Sequence, residues 1–343
     1  MGEVEYGLGL PPTAPTGELV ALAAEAERLG YRWMWVNDER LERDPFTVLA
    51  AMAAGTTRIR LGPGVTNPYS RHPALIATAM ATLDELCGGR AVLGLGAGGT
   101  NHTALGIRRE APATAIREAV ELIRALWSGG TATVEGRVVT ARDARLDFPA
   151  RADLPIYVGA RGPKMLELAG AVADGVIVGN VATAEGWEYA LGRITAGAER
   201  AGRDPAEVRL TAWLYACVAD DEDAALDAIR PMAATSVVTS RPVLGELGIE
   251  IPTEFERTME ARGWSLASED VTEASRSLPP ELVRRFGIAG GPEACRRDLS
   301  RLLEDVPQIS QVAIVPFGTG ATGPGETVRR FIGEVALEPA TWS

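Results

Sequence analysis

The sequence is poor in the residues on which nucleophilic and metal-dependent enzymes usually depend. It has two histidines, His72 and His102, and three cysteines in 343 residues, and the cysteines lie far apart with no CxxC pair. It contains no G-x-S-x-G motif, no H-x-H pair and no cluster of histidine with carboxylates. These absences argue against a serine or cysteine nucleophile, a disulfide framework and a zinc site, and we expect no bound metal.

Long apolar runs and an excess of positive charge are missing as well. No window of about 18 residues is both apolar and uncharged, which excludes a transmembrane helix, and the N-terminal residues lack the basic segment of a secretory signal. With 34 basic and 46 acidic residues, the formal net charge of −12 is too negative for non-specific nucleic-acid binding. Together with the scattered cysteines, these features predict a cytoplasmic protein that binds neither membrane nor nucleic acid.

Short apolar strands alternate with amphipathic helices along most of the chain. The predicted strands lie at 4–10, 31–37, 59–65, 91–96, 155–159, 174–180, 208–219 and 311–318. Two stretches break the alternation: 131–148 has the pattern of a hairpin, and 235–290 is polar, proline-bearing and irregular. Because no linker divides the chain, we predict one α/β domain over 1–343, a (β/α)8 TIM barrel with these two stretches as insertions. A doubly wound sheet with a second domain is the main alternative.

In such a barrel the active site is formed by the loops that follow the strands. Glycines and small polar residues crowd these loops, in the segments GPGVTNPYSRHP (62–73), GAGGTNH (96–102), GARGPK (159–164) and GN (179–180). The overlapping segment GLGAGG (94–99) also fits the G-x-G-x-x-G dinucleotide fingerprint. Three strand–helix units precede it, so we interpret its glycines as part of a wide barrel mouth.

The segment GARGPK predicts a phosphate site. Pro163 stands where a first helical residue belongs, and the free amides of a helix start, together with Arg161 or Lys164, favour an anion. An ordinary helix start is the alternative. Because the mouth combines ligand-cradling glycines with few acid–base groups, we expect a bound organic cofactor to carry the reaction. Strand-end aromatics such as Trp213 can belong to the core or to a pocket, and we favour the core.

Four segments carry a resemblance to the bacterial luciferase-like superfamily: TRIRLGPGVTNPYSRHP, GRAVLGLGAGG, LPIYVGARGPKMLELAG and ADGVIVGN. Within it the chain looks most like the coenzyme F420 (deazaflavin)-dependent reductases, in particular the methylenetetrahydromethanopterin reductases. The likeness covers about residues 4–220 and 290–335, whereas nothing matches over 235–290. The glycine motifs are shared more widely, including with FMN-dependent monooxygenases.

The resemblance implies a set of site residues. It makes Gly64–Val65 a non-prolyl cis peptide behind the deazaflavin ring, with Asp38 near the ring as the one catalytic candidate. The other cofactor-binding residues fall into two groups. Beside the ring it places Thr66, Asn67, Gly96, Ala97, Gly98 and Gly99. At the phosphate it places Gly159, Ala160, Arg161, Gly162, Pro163, Gly179 and Asn180.

The chain departs from the family at three positions. Related sugar and alcohol dehydrogenases carry a histidine where this chain has Glu39 and a glutamate where it has Gly99, and the pterin reductases carry a glutamate where it has Gly9. The resemblance therefore implies hydride transfer from reduced F420 to a small organic C=C or C=N acceptor, which requires least from the protein. The alternatives are an FMN-dependent monooxygenase supplied with FMNH2 and a non-catalytic flavin-binding protein. We expect a homodimer that acts on a small molecule.

Overall fold

The structure, a computed structural model, describes residues 4–38, 41–98 and 101–337, apart from the side chains of residues 101 and 103. It contains both helices and strands in the alternating order that the sequence predicts. The strands are β1 (Glu5–Leu10), β2 (Trp33–Val36), β3 (Arg60–Pro63), β4 (Leu93–Leu95), β5 (Ala132–Glu135), β6 (Thr140–Ala144), β7 (Ile156–Ala160), β8 (Gly175–Gly179), β9 (Arg209–Val218), β10 (Gly287–Gly290) and β11 (Ile309–Pro316).

Eight of these strands form a nearly closed parallel barrel, which confirms the predicted fold class. The hydrogen-bonded order is β3-β2-β1-β11-β9-β8-β7-β4. The two ends of this order are joined by the isolated bridges Leu61–Ala91 and Thr66–Leu95, which complete the ring between β3 and β4. All eight strands that the sequence predicts for the barrel are present. Six are shorter than predicted, whereas β7 and β11 have the predicted length and are shifted by one and two residues.

Two glycines allow the close approach of β3 and β4 at this junction. A Cβ atom on Gly62 would lie 1.9 Å from the Val92 carbonyl oxygen, and one on Gly94 would lie 2.2 Å from the Pro63 carbonyl oxygen. Both distances are far inside van der Waals contact, so any side chain here would push the strands apart. Glycine at 62 and 94 is therefore a condition of barrel closure.

The helices surround the barrel. Among the described residues, seven of them begin with a proline at the first helical position, where the missing N–H costs nothing because that amide has no partner within a helix. The helices are α1 (Thr16–Leu29), α2 (Pro45–Gly55), α3 (Pro73–Leu86), α4 (Asn101–Ala104), α5 (Pro112–Trp127), α6 (Pro163–Val172), α7 (Ala184–Arg200), α8 (Glu222–Glu246), α9 (Thr253–Ala261), α10 (Ser268–Ser275), α11 (Pro280–Arg284), α12 (Pro292–Asp305) and α13 (Pro324–Arg330).

Of the two stretches that break the alternation, one agrees with its predicted structure and the other does not. Strands β5 and β6 form the expected antiparallel hairpin within 131–148. The irregular structure expected over 235–290 is wrong, because this stretch holds the end of α8, three further helices and β10. Helix α8 continues past Pro231 and Pro242, and its buried side chains, among them Val237 and Leu244, keep helical spacing beyond the first proline. Burial of this apolar face against β9 and β10 outweighs the hydrogen bonds that the prolines remove.

The core has two parts. One lies between the barrel wall and the surrounding helices, and the other fills the barrel interior and continues beneath α8–α11. Inside the barrel, Trp33 and Trp35 stack with ring centroids 5.6 Å apart, and Tyr157 lies 5.6 Å from each.

Among the helices of the described residues, none combines the length and the apolar composition of a membrane-spanning segment.

Candidate active site

The site begins where β3 ends, at a turn of the chain held by β4. The Gly64–Val65 peptide bond is cis, as the resemblance implies. Directly after it, the Thr66 amide donates to the Gly94 carbonyl over 3.0 Å, and the Gly96 amide donates to the Thr66 carbonyl over 2.8 Å. The end of β3 is therefore fixed to the end of β4 by backbone hydrogen bonds.

The Val65 side chain explains two glycines to which the resemblance gives a role in cofactor binding. A Cβ on Gly96 would lie 2.5 Å from Val65 Cγ2, and a Cβ on Gly159 would lie 3.0 Å from Val65 Cγ1. Both glycines thus make room for Val65, which lies between the ends of β4 and β7. Their contact with a protein side chain gives them a structural role whatever ligand the mouth binds.

Asp38 lies after β2, next to the same turn. The Thr66 hydroxyl donates a 2.6 Å hydrogen bond to Asp38 Oδ2. Burial raises the pKa of the Asp38 carboxyl above its ordinary value, and the Thr66 hydrogen bond and the positive charge of Arg71 oppose that rise only in part. A half-buried carboxyl with a raised pKa is suited to hold and release a proton.

Asn67 is fully buried and organises the loop that follows. Its Oδ1 accepts from the amides of Tyr69 (3.1 Å) and Ser70 (2.9 Å) and from the Ser70 hydroxyl. His102 Nε2 also lies 3.2 Å from this oxygen. Among the described residues Asn67 Nδ2 is buried with no hydrogen-bond partner, which leaves a donor available to a ligand.

His102 is a site residue whose role the sequence does not show. The structure buries it, with its ring edge-on to that of Tyr69 and the ring centroids 5.6 Å apart. A Cβ on Gly98, whose φ is +76°, would lie 2.3 Å from His102 Cε1, so this glycine is required both by its backbone and by the ring. Burial and the nearby Arg109 lower the pKa of His102. Its position within GAGGTNH is the one signal that points to it.

The remaining residues of this glycine loop are only partly described. Ala97, two residues after β4, is half-buried. Gly99 lies outside the described residues, and so does Glu39.

A second group of candidates lies at the ends of β7 and β8. The Arg161 guanidinium donates to the Thr239 hydroxyl of α8. A Cβ on Gly179 would lie 2.9 Å from Arg161 Nε, so this glycine makes room for the arginine. Arg161 is therefore held across the end of β8 and does not point freely into solvent.

The start of α6 has the features of an anion site. Gly162 is its N-cap and Pro163 its first residue, and no side chain caps the helix. A Cβ on Gly162 would have no atom within 4 Å, so open space adjoins the first amides of the helix. Ala160, at the end of β7, is buried beneath this turn. Uncapped amides and open space are what a bound phosphate needs.

Asn180 follows β8 and carries a second buried atom without a partner. Its backbone is left-handed (φ +54°), its amide donates to the Trp213 carbonyl over 2.7 Å, and its Nδ2 donates to Ser236 Oγ over 3.1 Å. Asn180 Oδ1 has no partner in the described structure. A mostly apolar cavity between β8, α7 and α8 adjoins Arg161 and Asn180.

Sequence reasoning missed the contribution of α8. Ser236 and Thr239 contact Asn180 and Arg161, yet both lie on the helix that crosses into 235–290, where no motif stands out. The order of the strands brings the two candidate groups together, since Val65 of the first lies against Gly159 of the second.

The comparisons with known proteins give the class of protein. Residues 4–306 match the luciferase-like monooxygenase family, and the chain belongs to it, which confirms the predicted family. A 5,10-methylenetetrahydromethanopterin reductase of Methanolobus tindarius is 36% identical over 318 residues, which cover 91% of this chain and 94% of that protein. An F420-dependent glucose-6-phosphate dehydrogenase of Beutenbergia cavernae is 34% identical over 259 residues, covering 71% of this chain and 76% of that protein.

A solved structure supports the same grouping. The coenzyme F420-dependent tetrahydromethanopterin reductase from Methanopyrus kandleri superposes with a TM-score of 0.85 at 33% identity. The match covers 97% of this chain and 99% of that one. The similarity thus extends over the whole barrel and includes the segment 235–290, for which the sequence offered no match.

Proposed function

We propose that this protein is an F420-dependent oxidoreductase that reduces a small organic C=C or C=N acceptor. The names of the relatives support F420 as the cofactor and an oxidoreductase as the class of enzyme. The observation that carries the proposal is the pair of buried polar atoms Asn67 Nδ2 and Asn180 Oδ1, which follow β3 and β8 and have no partner in the described structure. Buried polar groups are nearly always satisfied, so these two call for a ligand that offers an acceptor to Asn67 Nδ2 and a donor to Asn180 Oδ1.

The residues present fit an extended cofactor with an anionic end. Val65, Thr66 and Asn67, with Gly96, Ala97 and Gly98, would hold the ring. Gly159, Ala160, Arg161, Gly162 and Pro163, with Gly179, would hold the phosphate at the uncapped start of α6. Asn180 would lie beside the phosphate, with its Oδ1 available to a hydrogen-bond donor of the cofactor. Charge-assisted contact from Arg161 would add to the helix amides there.

The chemistry divides between cofactor and protein. Reduced F420, when bound, supplies a hydride to the electron-poor carbon of the acceptor. A two-electron reduction also requires one proton, at the α-carbon of a C=C acceptor or at the nitrogen of a C=N acceptor. Asp38 would hold that proton, because its pKa is raised and Thr66 fixes its Oδ2. Solvent would reprotonate the carboxylate after each turnover.

The positions of the histidines favour reduction over alcohol oxidation with a histidine base. His72 caps α3, and its Nε2 bonds to the Thr140 carbonyl oxygen of the hairpin. His102 is hydrogen-bonded to Asn67. His72 and His102 are the only histidines in the sequence. Neither has Asp38 as a hydrogen-bond partner in the described structure, so neither forms a pair with it for removing a proton from an alcohol.

A parallel titration with F420 and FMN tests the proposal. We expect the purified protein to bind F420 tightly and FMN much more weakly. The fluorescence of each cofactor measures its binding. Tight FMN binding without F420 binding would overturn the proposal in favour of the monooxygenase. Binding of F420 without oxidation of F420H2 by any of a panel of enones and imines would favour the non-catalytic alternative. The proposed homodimer is tested on the same sample by sedimentation velocity.

A further inference from the structure

The Trp213 side chain crosses the barrel at the level of its mouth. Strand β9 lies four places from β3 in the ring of eight strands, so the two face each other across the barrel. Trp213 is paired with Gly179, the last residue of β8, which places it at the C-terminal end of the barrel. Its indole nevertheless reaches Gly64, at the end of β3 on the opposite wall, where a Cβ would lie 3.1 Å from Trp213 Cη2.

Gly9 and Trp213 form a matched pair. A Cβ on Gly9, near the end of β1, would lie 2.4 Å from both Cη2 and Cζ2 of the indole. These atoms belong to the rigid six-membered ring, so the indole would have to move as a whole to admit even a methyl group. Glycine at position 9 is thus explained by the tryptophan that occupies the space beside it.

Trp213 contacts both halves of the candidate site. Its indole ring touches Gly64, the residue before Val65 and Thr66. Its backbone carbonyl accepts the Asn180 amide. Trp213 is 9% exposed, whereas Trp35 and Tyr157, deeper in the barrel, are each 1% exposed. It therefore lies at the boundary between the filled interior and the mouth.

We propose that Trp213 is the floor on which the ring of the bound cofactor rests, a positioning residue whose place is set by Gly9. This inference rests on the proposed function. A flat aromatic floor gives a planar ring a large apolar contact and blocks entry into the barrel below. Displacement of the indole by a side chain at position 9 would then raise the floor and push the ring out of place.

A double-mutant cycle on F420 binding tests the pair. The variants are Gly9→Ala, Trp213→Ala and the double variant, each titrated with F420 and melted by circular dichroism. We expect Gly9→Ala alone to weaken F420 binding about 10-fold. In the Trp213→Ala background, where the methyl group has room, the same change should have no further effect on F420 affinity.

The matched control is Gly7→Ala, on the same strand but deeper in the barrel. Its Cβ would lie 2.9 Å from Trp33 Cβ, so the change disturbs a tryptophan contact that does not reach the mouth. We expect a lower melting temperature with unchanged F420 affinity. If Gly9→Ala does not fold, Trp213→Leu replaces it, and about 10-fold weaker F420 binding with an unchanged far-UV spectrum is expected.

The outcomes separate this inference from the proposed function. Failure of the unaltered protein to bind F420 overturns the proposed function, and with it the inference. F420 binding that Gly9→Ala weakens equally in both backgrounds, or that neither Gly9→Ala nor Trp213→Leu weakens, overturns the inference alone.

Discussion

The hydroxyl of Thr66 donates a 2.6 Å hydrogen bond to Asp38 Oδ2, joining the residue after β2 to the turn after β3. Without this bond, burial would raise the pKa of Asp38 further. The pKa of the proposed proton donor is thus lowered in part by Thr66, a residue of the same turn that would hold the cofactor ring. This relationship leads to two predictions about the Asp38 carboxyl.

The first prediction concerns the pKa of Asp38 itself. Thr66→Val removes the donor and should raise the pKa of Asp38, whereas Thr66→Ser keeps the hydroxyl and should leave it near its present value. Carbon-13 NMR of the Asp38 carboxyl carbon during a pH titration measures this pKa, and the sample needs no acceptor substrate. Equal pKa values in the two variants would mean that the hydrogen bond does not form in solution.

The second prediction is that Asp38→Asn slows turnover without lowering the stability of the fold. We expect turnover to fall about 100-fold, the lower end of the usual contribution of general acid catalysis, while F420 affinity is kept. Because the folded-state pKa of Asp38 is raised, its carboxylate costs stability at neutral pH, and that cost disappears below the pKa of the unfolded chain.

Asp38→Asn should accordingly melt at or above the temperature of the unaltered protein at pH 7, with no such advantage in acid. The measurements are steady-state kinetics and calorimetry at both pH values. Unchanged turnover would assign protonation to solvent.

The third prediction tests the phosphate site through Arg161. Arg161→Ala should weaken F420 binding about 10- to 100-fold, because a hydrogen bond to a charged group contributes about 1.5–3 kcal/mol. Arg142→Ala, on the exposed hairpin, is the control and should leave affinity unchanged. If both variants bind F420 equally well, the phosphate lies elsewhere, for which the GAGG loop is the next candidate.

The fourth prediction contrasts two glycines of the GARGPK segment. Gly162→Leu should leave the fold nearly intact, since its φ is −76° and a Cβ there meets no described atom within 4 Å, but it should obstruct the phosphate and weaken F420 binding. Gly159→Leu should instead lower the melting temperature, because its side chain would collide with Val65. Fluorescence titration and thermal melts distinguish the two. Normal F420 affinity in Gly162→Leu would contradict the assigned anion site.

The fifth prediction concerns the support of β3. Glu27 of α1 accepts from the amides of Thr57, Arg58 and Ile59, just before that strand. Burial alone would raise the pKa of Glu27, but these hydrogen bonds lower it overall. A lowered pKa means that the stabilisation is present at neutral pH and is lost as the pH falls through the folded-state pKa.

Glu27→Gln should therefore reduce the free energy of unfolding by about 1.5–3 kcal/mol at pH 7 and by less in acid. The neighbouring Glu25→Gln, which removes only an exposed contact with Arg329, is the control and should have little effect. Urea denaturation at the two pH values measures both. A difference that does not shrink in acid would show that the carboxylate charge is not the stabilising feature.

Local sequence determined which segments form the strands of the barrel. It also determined which strand ends carry the candidate site. Each predicted strand is a short apolar run between a helix and a turn, and such runs carry their signal within a few residues. The glycines of 94–99 and 159–162 and the proline at 163 were likewise legible, because backbone constraints belong to individual residues.

Only the tertiary structure decided what those glycines face and what completes the site. Gly96 and Gly159 accommodate Val65, Gly9 accommodates Trp213, and Gly98 accommodates His102. Ser236 and Thr239 reach the site from α8, whose burial carries the helix through two prolines that the sequence alone reads as breaks. These contacts join residues far apart in the chain, and a pattern of spacing carries no information about them. They depend on the closure of the ring, which brings the ends of all eight strands to one mouth.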